Sequence, residues 1–338
     1  MLTGATENTP HGQFPFSDEI RLGRFVLHVE ADDRRIIQAI WGSVDNDLLQ
    51  NPGSVQDDDR LTHVHLQLSG QTANRPTDIP PSDQAASSFE NVELHISDGE
   101  HLLVVDRKSV VAVDPTKGSA DGYISPEHLE SAWILAHRIF FLSVIELLRC
   151  HRAYYIHAGC VCDGDKGILV CGASGGGKST LTYALARSGF SFLSDDGVFL
   201  RKNSQGLEMF SFPEKIKLDS RSCSYFEELS HLGDTHGKRE LSLRDTRIRH
   251  FSNNARPVAL IFPVRSRGPT SEIYGIARHD ALVRVLGQSI PLLKPTDVHA
   301  HLETLTELVE TCSCFELSAG CDFDDIPNLV AGAVGVRV

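Results

Sequence analysis

The sequence is short of the features that mark several protein classes. Eight cysteines occur, but none forms a Cys-x-x-Cys pair, and the two Cys-x-Cys pairs, Cys160/Cys162 and Cys312/Cys314, sit in apolar, strand-like runs. That spacing offers neither a zinc knuckle nor a disulfide framework, so the cysteines read as reduced, mostly buried thiols. Positive charge is also scarce. Lys and Arg number 32 against 45 Asp and Glu, a formal net charge of −13. Such a field repels phosphate backbones, so nucleic acid is not an expected partner. Long apolar runs are missing too. The most apolar segment, 139–148, is interrupted by Glu146 and is far too short to span a bilayer, so no membrane partner is expected. Residues 1–15 lack a basic region followed by an apolar core. No export signal is expected, and the cytoplasm is the expected location. No internal repeat or low-complexity block stands out.

What is present is enough apolar residue, 41% of 338, for one large domain or two moderate ones. Runs at 24–30 and 62–68 alternate polar with apolar residues, and strand signals return at 92–96 and 102–113, with Lys108-Ser109 as a turn. Between them, 72–88 is rich in Pro, Asp, Ser and Ala and reads as a surface loop. Residues 1–124 therefore read as a smaller β-rich N-terminal module. Ser125-Pro126-Glu127 then combines a capping hydroxyl, a proline at the first helical position and an acid against the dipole. The helix it starts is expected to run to about Arg149, as a linking segment over 125–151. Leu129, Trp133, Ala136, Phe140, Val144 and Leu147 recur at helical steps and predict one buried stripe. From 152 to 338 strands and helices alternate: strands at 167–171, 190–193, 257–264 and 313–317, helices at 178–187, 280–286, 298–310 and 323–331. That pattern predicts an α/β core of the nucleotide-binding kind.

The chemistry concentrates in this second part. Gly172-Ala-Ser174-Gly175-Gly176-Gly177-Lys178-Ser179 matches Gly-x4-Gly-Lys-Ser, with Thr180 following, an apolar strand before and a helix-forming run after. Glycines let the backbone turn its N–H groups inward, and the helix N-terminus favours an anion. Lys178 puts a charge on the β- and γ-phosphates of a nucleoside triphosphate, and Ser179 offers a hydroxyl to Mg²⁺. Residues 172 and 174–180 are thus the expected phosphate cradle. The acidic partner narrows the class. Asp195-Asp196 ends an apolar strand 17 residues after Lys178 (195 − 178), one short helix and one strand later. Transporter ATPases and most motors place their acidic strand much further on, and no Asn-Lys-x-Asp guanine-reading motif occurs. Adjacent carboxylates can divide labour, one on the metal and one taking a proton.

His157, 15 residues before Gly172 (172 − 157), is either a satisfied structural histidine or, on a folded-back antiparallel strand pair, a neighbour of Asp195. Lys215 and Lys217 alternate on a strand-like run and serve either the transferring phosphoryl group or a solvated face. Lys238 and Arg239, in the polar stretch 233–240, belong either to a loop closing over phosphates or to plain surface. Arg256 and Arg265 flank the 257–264 strand as further candidate phosphate or substrate contacts.

His157-x-Gly159, a short hairpin, Gly172-x-Ser174-Gly-x-Gly-Lys-Ser179, one helix, and a strand ending Asp195-Asp196 together resemble the catalytic domain of HPr kinase/phosphorylase. The order resembles still more closely the HPr-kinase-related proteins that include lasso-peptide kinases. Phosphoenolpyruvate carboxykinases share the wider architecture. The resemblance covers roughly 152–220. It implies an ATP- and Mg²⁺-dependent kinase acting on a hydroxyl, expected to be a serine of a peptide or protein, and a homo-oligomeric assembly. It makes Asp195 the general base, Asp196 a Mg²⁺ ligand with Ser179, and His157 the residue that orients Asp195. A kinase for a small-molecule hydroxyl and a nucleotide-gated regulatory module are the alternatives. The chain departs from true HPr kinases in lacking their Glu-x-Arg-Gly-x-Gly signature. Phe212-Pro-Glu214-Lys215-Ile-Lys217-Leu218 stands at that stage, so the resemblance extends neither to phosphorolysis nor to HPr as substrate.

Overall fold

The computed structural model describes residues 14–49, 61–71, 79–97, 99–232, 237–266, 268–289 and 295–337, which fall into two compact units. The chain is mixed α/β with several sheets. Much of the expected loop at 72–88 and the start of the 233–240 stretch lie outside the described residues.

The first unit takes residues 14–44, 61–154 and 295–301. Its strands are β1 (Phe16–Leu22), β2 (Phe25–Ala31), β3 (Thr62–Ser69), β4 (Ser87–Phe89), β5 (Val92–Ser97), β6 (Glu100–Val105), β7 (Ser109–Asp114) and β8 (Ser119–Tyr123). They form one sheet in the order β1-β2-β3-β8-β7-β6-β5-β4. β2 and β3 are parallel, so their connection must cross over, and helix Arg34–Ser43 does this. The sequence reading gave no helix here. The deciding signal is local: the Asp33 carboxylate accepts from the Arg35 N–H at 2.9 Å and caps the helix.

The segment after Ser125 is helical but not continuous. Ser125 caps Pro126–Leu129, the path breaks at Glu130 and Ser131, and the Ser131 hydroxyl then accepts from the Ile134 N–H at 3.3 Å. Helical turns resume and run through Phe141–Cys150. This break corrects the expected stripe. Leu129, Ala136, Phe140, Val144 and Leu147 are buried, but Trp133 is 56% exposed, with the Arg138 guanidinium 5.2 Å from its ring centre.

The second unit takes residues 45–49, 155–289 and 302–337. Its strands are β9 (Ala153–Ile156), whose first two residues count with the first unit, β10 (Ala158–Asp163), β11 (Lys166–Cys171), β12 (Ser191–Ser194), β13 (Val198–Asn203), β14 (Gly206–Phe210), β15 (Ile216–Asp219), β16 (Lys238–Leu241), β17 (Asn254–Arg265), β18 (Glu272–Gly275) and β19 (Ser313–Ala319). The main sheet runs β12-β10-β11-β17-β14-β13-β9, with β19 also parallel along β17 and β18 antiparallel on β19. β15 and β16 form a separate antiparallel ribbon. The central strands are apolar on both faces, as a sheet covered on both sides requires. Ile168, Val170, Ala259 and Ile261 pack with helices Lys178–Arg187 and Ile326–Val334, whereas Leu169, Cys171, Leu260 and Phe262 pack with Arg278–Leu286 and the 302–311 turns of helix Pro295–Thr311. Helix Lys178–Arg187 lies so close to β10 that a Cβ on Gly159 would stand 2.1 Å from Thr182 Oγ1. None of the eight cysteines is in a disulfide; Cys321 is exposed and Cys150 half-buried. Among the described residues no helix is long and apolar enough to cross a membrane.

Candidate functional site

The glycine-rich loop leaves the end of β11 and opens helix Lys178–Arg187. Gly175 (φ +74°) and Gly177 (φ +93°) adopt the left-handed region, and a Cβ on Gly176 would meet the Ala173 carbonyl oxygen at 2.9 Å. Each glycine is therefore required by conformation or by space. Gly177 brings no side chain to cap the helix, so the first-turn amides keep their bonding capacity for a group in the loop. Lys178 is nearly buried, and its ammonium donates to the carbonyls of Gly172 at 2.7 Å and Ala173 at 3.4 Å. Burial, then the neighbouring charge of Lys238, depresses its pKa.

Ser174, Gly175, Gly176, Gly177, Lys178, Ser179 and Thr180 line one cleft together with His157, Lys217 and Lys238. Gly172 acts from behind, through the carbonyl that holds Lys178. The Thr180 hydroxyl is engaged by Ser222 Oγ at 2.6 Å. Arg265 also lines the cleft and donates to the Gly175 carbonyl at 3.3 Å. Asp195 and Asp196 do not line it, and neither do three further candidates. The Arg239 guanidinium donates to the Leu232 carbonyl at 2.6 Å, Lys215 is half-buried beside β15, and Arg256 faces Asp165 at 3.8 Å. Lys215 and Lys217 therefore differ in position, against the expectation that they act together.

The acidic pair follows β12, where the Ser194 hydroxyl accepts from the N–H groups of Asp196 (3.3 Å) and Gly197 (3.1 Å) and fixes the turn. The Asp196 carbonyl accepts from the Tyr155 hydroxyl at 3.2 Å and from His157 Nδ1 at 2.6 Å. A carbonyl only accepts, so His157 carries its proton on Nδ1, and Nε2 keeps a lone pair. Burial, then the charge of Lys178, depresses the His157 pKa, which favours that neutral ring. His157 Nδ1 also lies 3.2 Å from Asp196 Oδ1. The histidine thus serves Asp196, whereas the sequence reading expected Asp195. The reason is local: the hairpin brings position 157 to the second aspartate's backbone carbonyl.

Asp195 is buried, and its Oδ2 accepts from the Lys217 N–H at 3.0 Å. Burial, reinforced by the Asp196 charge, pushes its pKa up to about 7. Lys217 Nζ sits between Asp196 Oδ2 (3.1 Å) and Glu214 Oε2 (3.4 Å). Burial pushes Glu214 up to about 7 as well. Burial opposes the charge of Lys217, but Glu214 and Asp196 overcome it and hold the lysine well above its usual value. Burial likewise opposes the Asp196 charge, yet Lys217 and His157 keep that carboxyl below its usual range. Two buried carboxyls, Asp195 and Glu214, are thus poised near neutrality beside Asp196, which is held charged.

These raised acids set a sign for stability. Between the ordinary carboxylate range and about 7, Asp195 and Glu214 bind protons more tightly folded than unfolded. Folding then loses stability as pH rises through that window. Urea melts of wild type and Asp195→Asn at pH 5 and pH 8 should show the variant gaining stability relative to wild type at pH 8. An equal difference at both pH values would contradict the raised Asp195 pKa.

Sequence reasoning singled out neither Glu214 nor the further cleft-lining residues Asp219, Arg221, Ser222, Tyr225, Cys321 and Phe323. Asp219-Ser220 is a capping signal that could have found the short helix Ser220–Ser224: Asp219 accepts from the Ser222 N–H at 2.7 Å.

No protein-family model matches the chain, and no curated protein matches it. Among solved structures it is similar to the Hpr(Ser) kinase/phosphatase from Coxiella burnetii, at 14% identity and a TM-score of 0.30, over 54% of this chain and 93% of that one. A likeness of that size decides neither the fold nor the activity.

Proposed function

We propose that the second unit is a P-loop kinase that binds ATP with Mg²⁺ and transfers the γ-phosphoryl group to a hydroxyl, a serine of a peptide or protein. One observation carries this reading. A glycine-rich helix-opening loop and its lysine share a cleft with Lys217, whose amide and ammonium hold the Asp195-Asp196 pair. A phosphate cradle alone serves many purposes. A buried carboxyl whose pKa is raised to about 7 beside it suits proton removal from an attacking hydroxyl.

The residues fit the groups this requires. A Cβ would fill the loop at Gly176, and Ser179 and a charged Asp196 are oxygen donors of the kind Mg²⁺ takes. Mg²⁺, when bound, supplies neutralisation of phosphate charge. Lys178 and the loop amides grip the phosphates and fix their direction. Lys217 and His157 hold Asp196 charged and in place. Asp195 takes the acceptor proton. Lys238 and Arg265, at the cleft wall, add positive charge where phosphate oxygens would lie.

The test is transfer from γ-labelled ATP with Mg²⁺ to lysate fractions split into peptide and small-metabolite pools. Label in peptide or protein supports the reading. Label in a small metabolite moves the acceptor class, and tight ATP binding without any labelled product favours a nucleotide-gated module. Lys178→Ala should weaken ATP affinity about 10- to 100-fold, the worth of a charge-assisted contact. Calorimetry showing unchanged affinity would remove the cradle assignment.

A further inference from the structure

A row of polar side chains crosses one face of the first unit's sheet. β1 pairs antiparallel with β2 so that Glu19 stands opposite His28. β2 pairs parallel with β3 so that His28 stands opposite His65. His63 lies two residues along β3, on the same face as His65. The opposite face of these strands holds Leu27, Val29, Val64 and Leu66, all buried. On the polar face His63 and His65 are exposed, and the His28 side chain keeps 23% exposure. Two residues on β3 and one on its neighbour thus aim three imidazoles at one patch.

The contacts within the row are specific. His28 Nδ1 lies 2.7 Å from Glu19 Oε1, and His28 Nε2 lies 2.7 Å from His63 Nδ1. The His28 ring stacks on His65 at 4.6 Å between centroids and meets the His63 ring edge to edge, with centroids 5.0 Å apart. A carboxylate only accepts, so Glu19 fixes the His28 proton on Nδ1 and leaves Nε2 as a lone pair. Nε2 and His63 Nδ1 then face each other across a single proton. A carboxylate on the far nitrogen of an imidazole is the outer-shell arrangement that orients metal-ligating histidines.

We propose that His28, His63 and His65 form a surface site for a divalent late first-row transition metal such as Zn²⁺, with Glu19 orienting His28. Binding displaces the proton on His63 Nδ1, which passes through solvent to the exposed His63 Nε2, so both imidazoles ligate as neutral rings. His28 Nε2 and His63 Nδ1 become ligands, and His65 joins by rotating its exposed ring. Two nitrogens on one tetrahedral Zn²⁺ stand about 3.3 Å apart at the usual Zn–N length, so the two nitrogens part by about 0.6 Å from their 2.7 Å separation and the His28 and His63 rings turn until their lone pairs, which now point at each other, converge on the metal. Three imidazoles with a water suit Zn²⁺, Co²⁺, Ni²⁺ or Cu²⁺ and disfavour Mg²⁺ or Ca²⁺. The buried group His101, Glu146 and Cys150 is a poorer candidate. The Arg149 guanidinium already donates to Glu146 at 2.9 Å through Nε, and a second cation would meet that fixed charge.

The experiment uses the full chain without a polyhistidine tag and without nucleotide, titrated with Co²⁺ by visible absorption and with Zn²⁺ by competition calorimetry. One equivalent is expected, lost in His28→Ala and in His63→Ala, weakened about 10-fold in Glu19→Gln and unchanged in Cys150→Ser. Zn²⁺ should also raise the unfolding midpoint of wild type and not of His63→Ala. The proposal is overturned if wild type takes up no stoichiometric metal, or if His28→Ala and His63→Ala bind Zn²⁺ as wild type does.

Discussion

Asp195→Asn is expected to lower phosphoryl transfer by about 10²- to 10⁴-fold, the usual worth of a positioned general base, while ATP affinity stays close to wild type. Asparagine has nearly the same shape, and its carbonyl oxygen can still accept from the Lys217 N–H that holds Asp195 at 3.0 Å. What it cannot do is take a proton. Asp195 is raised to about 7, so the wild-type rate should climb with pH until the carboxylate form dominates just above neutrality. The residual rate of the variant should lack that limb. A kinetic pH profile under saturating ATP separates the two cases. Retention of full activity, or of the same limb, would take the base role away from Asp195. Loss of activity accompanied by loss of ATP binding would instead point to a damaged site. The expected stability gain of the variant at pH 8 guards against that ambiguity, because an unfolded variant would not show it.

The parts of this picture that were legible in the sequence are those set by short-range chemistry. Residues 172–180 declare a loop because glycines stand where left-handed backbone or close carbonyl approach leaves no room for a Cβ. β11 and β17 are legible because both of their faces are buried, giving unbroken apolar runs. Long-range pairing was not. The ribbon of β15 and β16 brings Lys238 opposite Asp219 in register, and nothing in a polar stretch announces that partner. Asp45 is a sharper case. It precedes the unread helix Asn46–Leu49, yet it belongs to the second unit, where its carboxylate accepts from the Leu243 N–H at 2.8 Å and the Ser242 hydroxyl at 3.0 Å. Periodicity cannot see a contact 198 residues away. The partner of His157 failed for a smaller reason. Two adjacent aspartates differ in direction, and only the turn fixed by Ser194 decides which one presents its carbonyl. Glu214 escaped because a lone glutamate in a strand-like run carries no signal until its lysine is seen beside it.

That lysine supports the second large expected effect. Lys217→Met should cost about 3 kcal/mol of folding stability at pH 8, at the low end for removing one partner of a buried ion pair. The low end applies because the side chains of Lys217 and Asp196 retain 16% and 25% exposure. Methionine keeps the stem's volume and the backbone N–H to Asp195, so the loss isolates the ammonium. Without it Asp196 and Glu214 face each other's charge with a neutral His157 ring on Asp196 and only the more distant Lys238 as a cation, and Glu214 is almost fully buried. Glu214 should then take up a proton at higher pH, so the destabilisation should shrink as pH falls toward 5. Denaturant melts at both pH values measure this directly. Adding Glu214→Gln to Lys217→Met removes the most buried of the stranded charges and should recover part of the loss, whereas Glu214→Gln alone should cost less than Lys217→Met. If Lys217→Met melts like wild type at pH 8, the cluster does not depend on its cation. The charged state of Asp196, and with it the division of labour between the two aspartates, would then need another source.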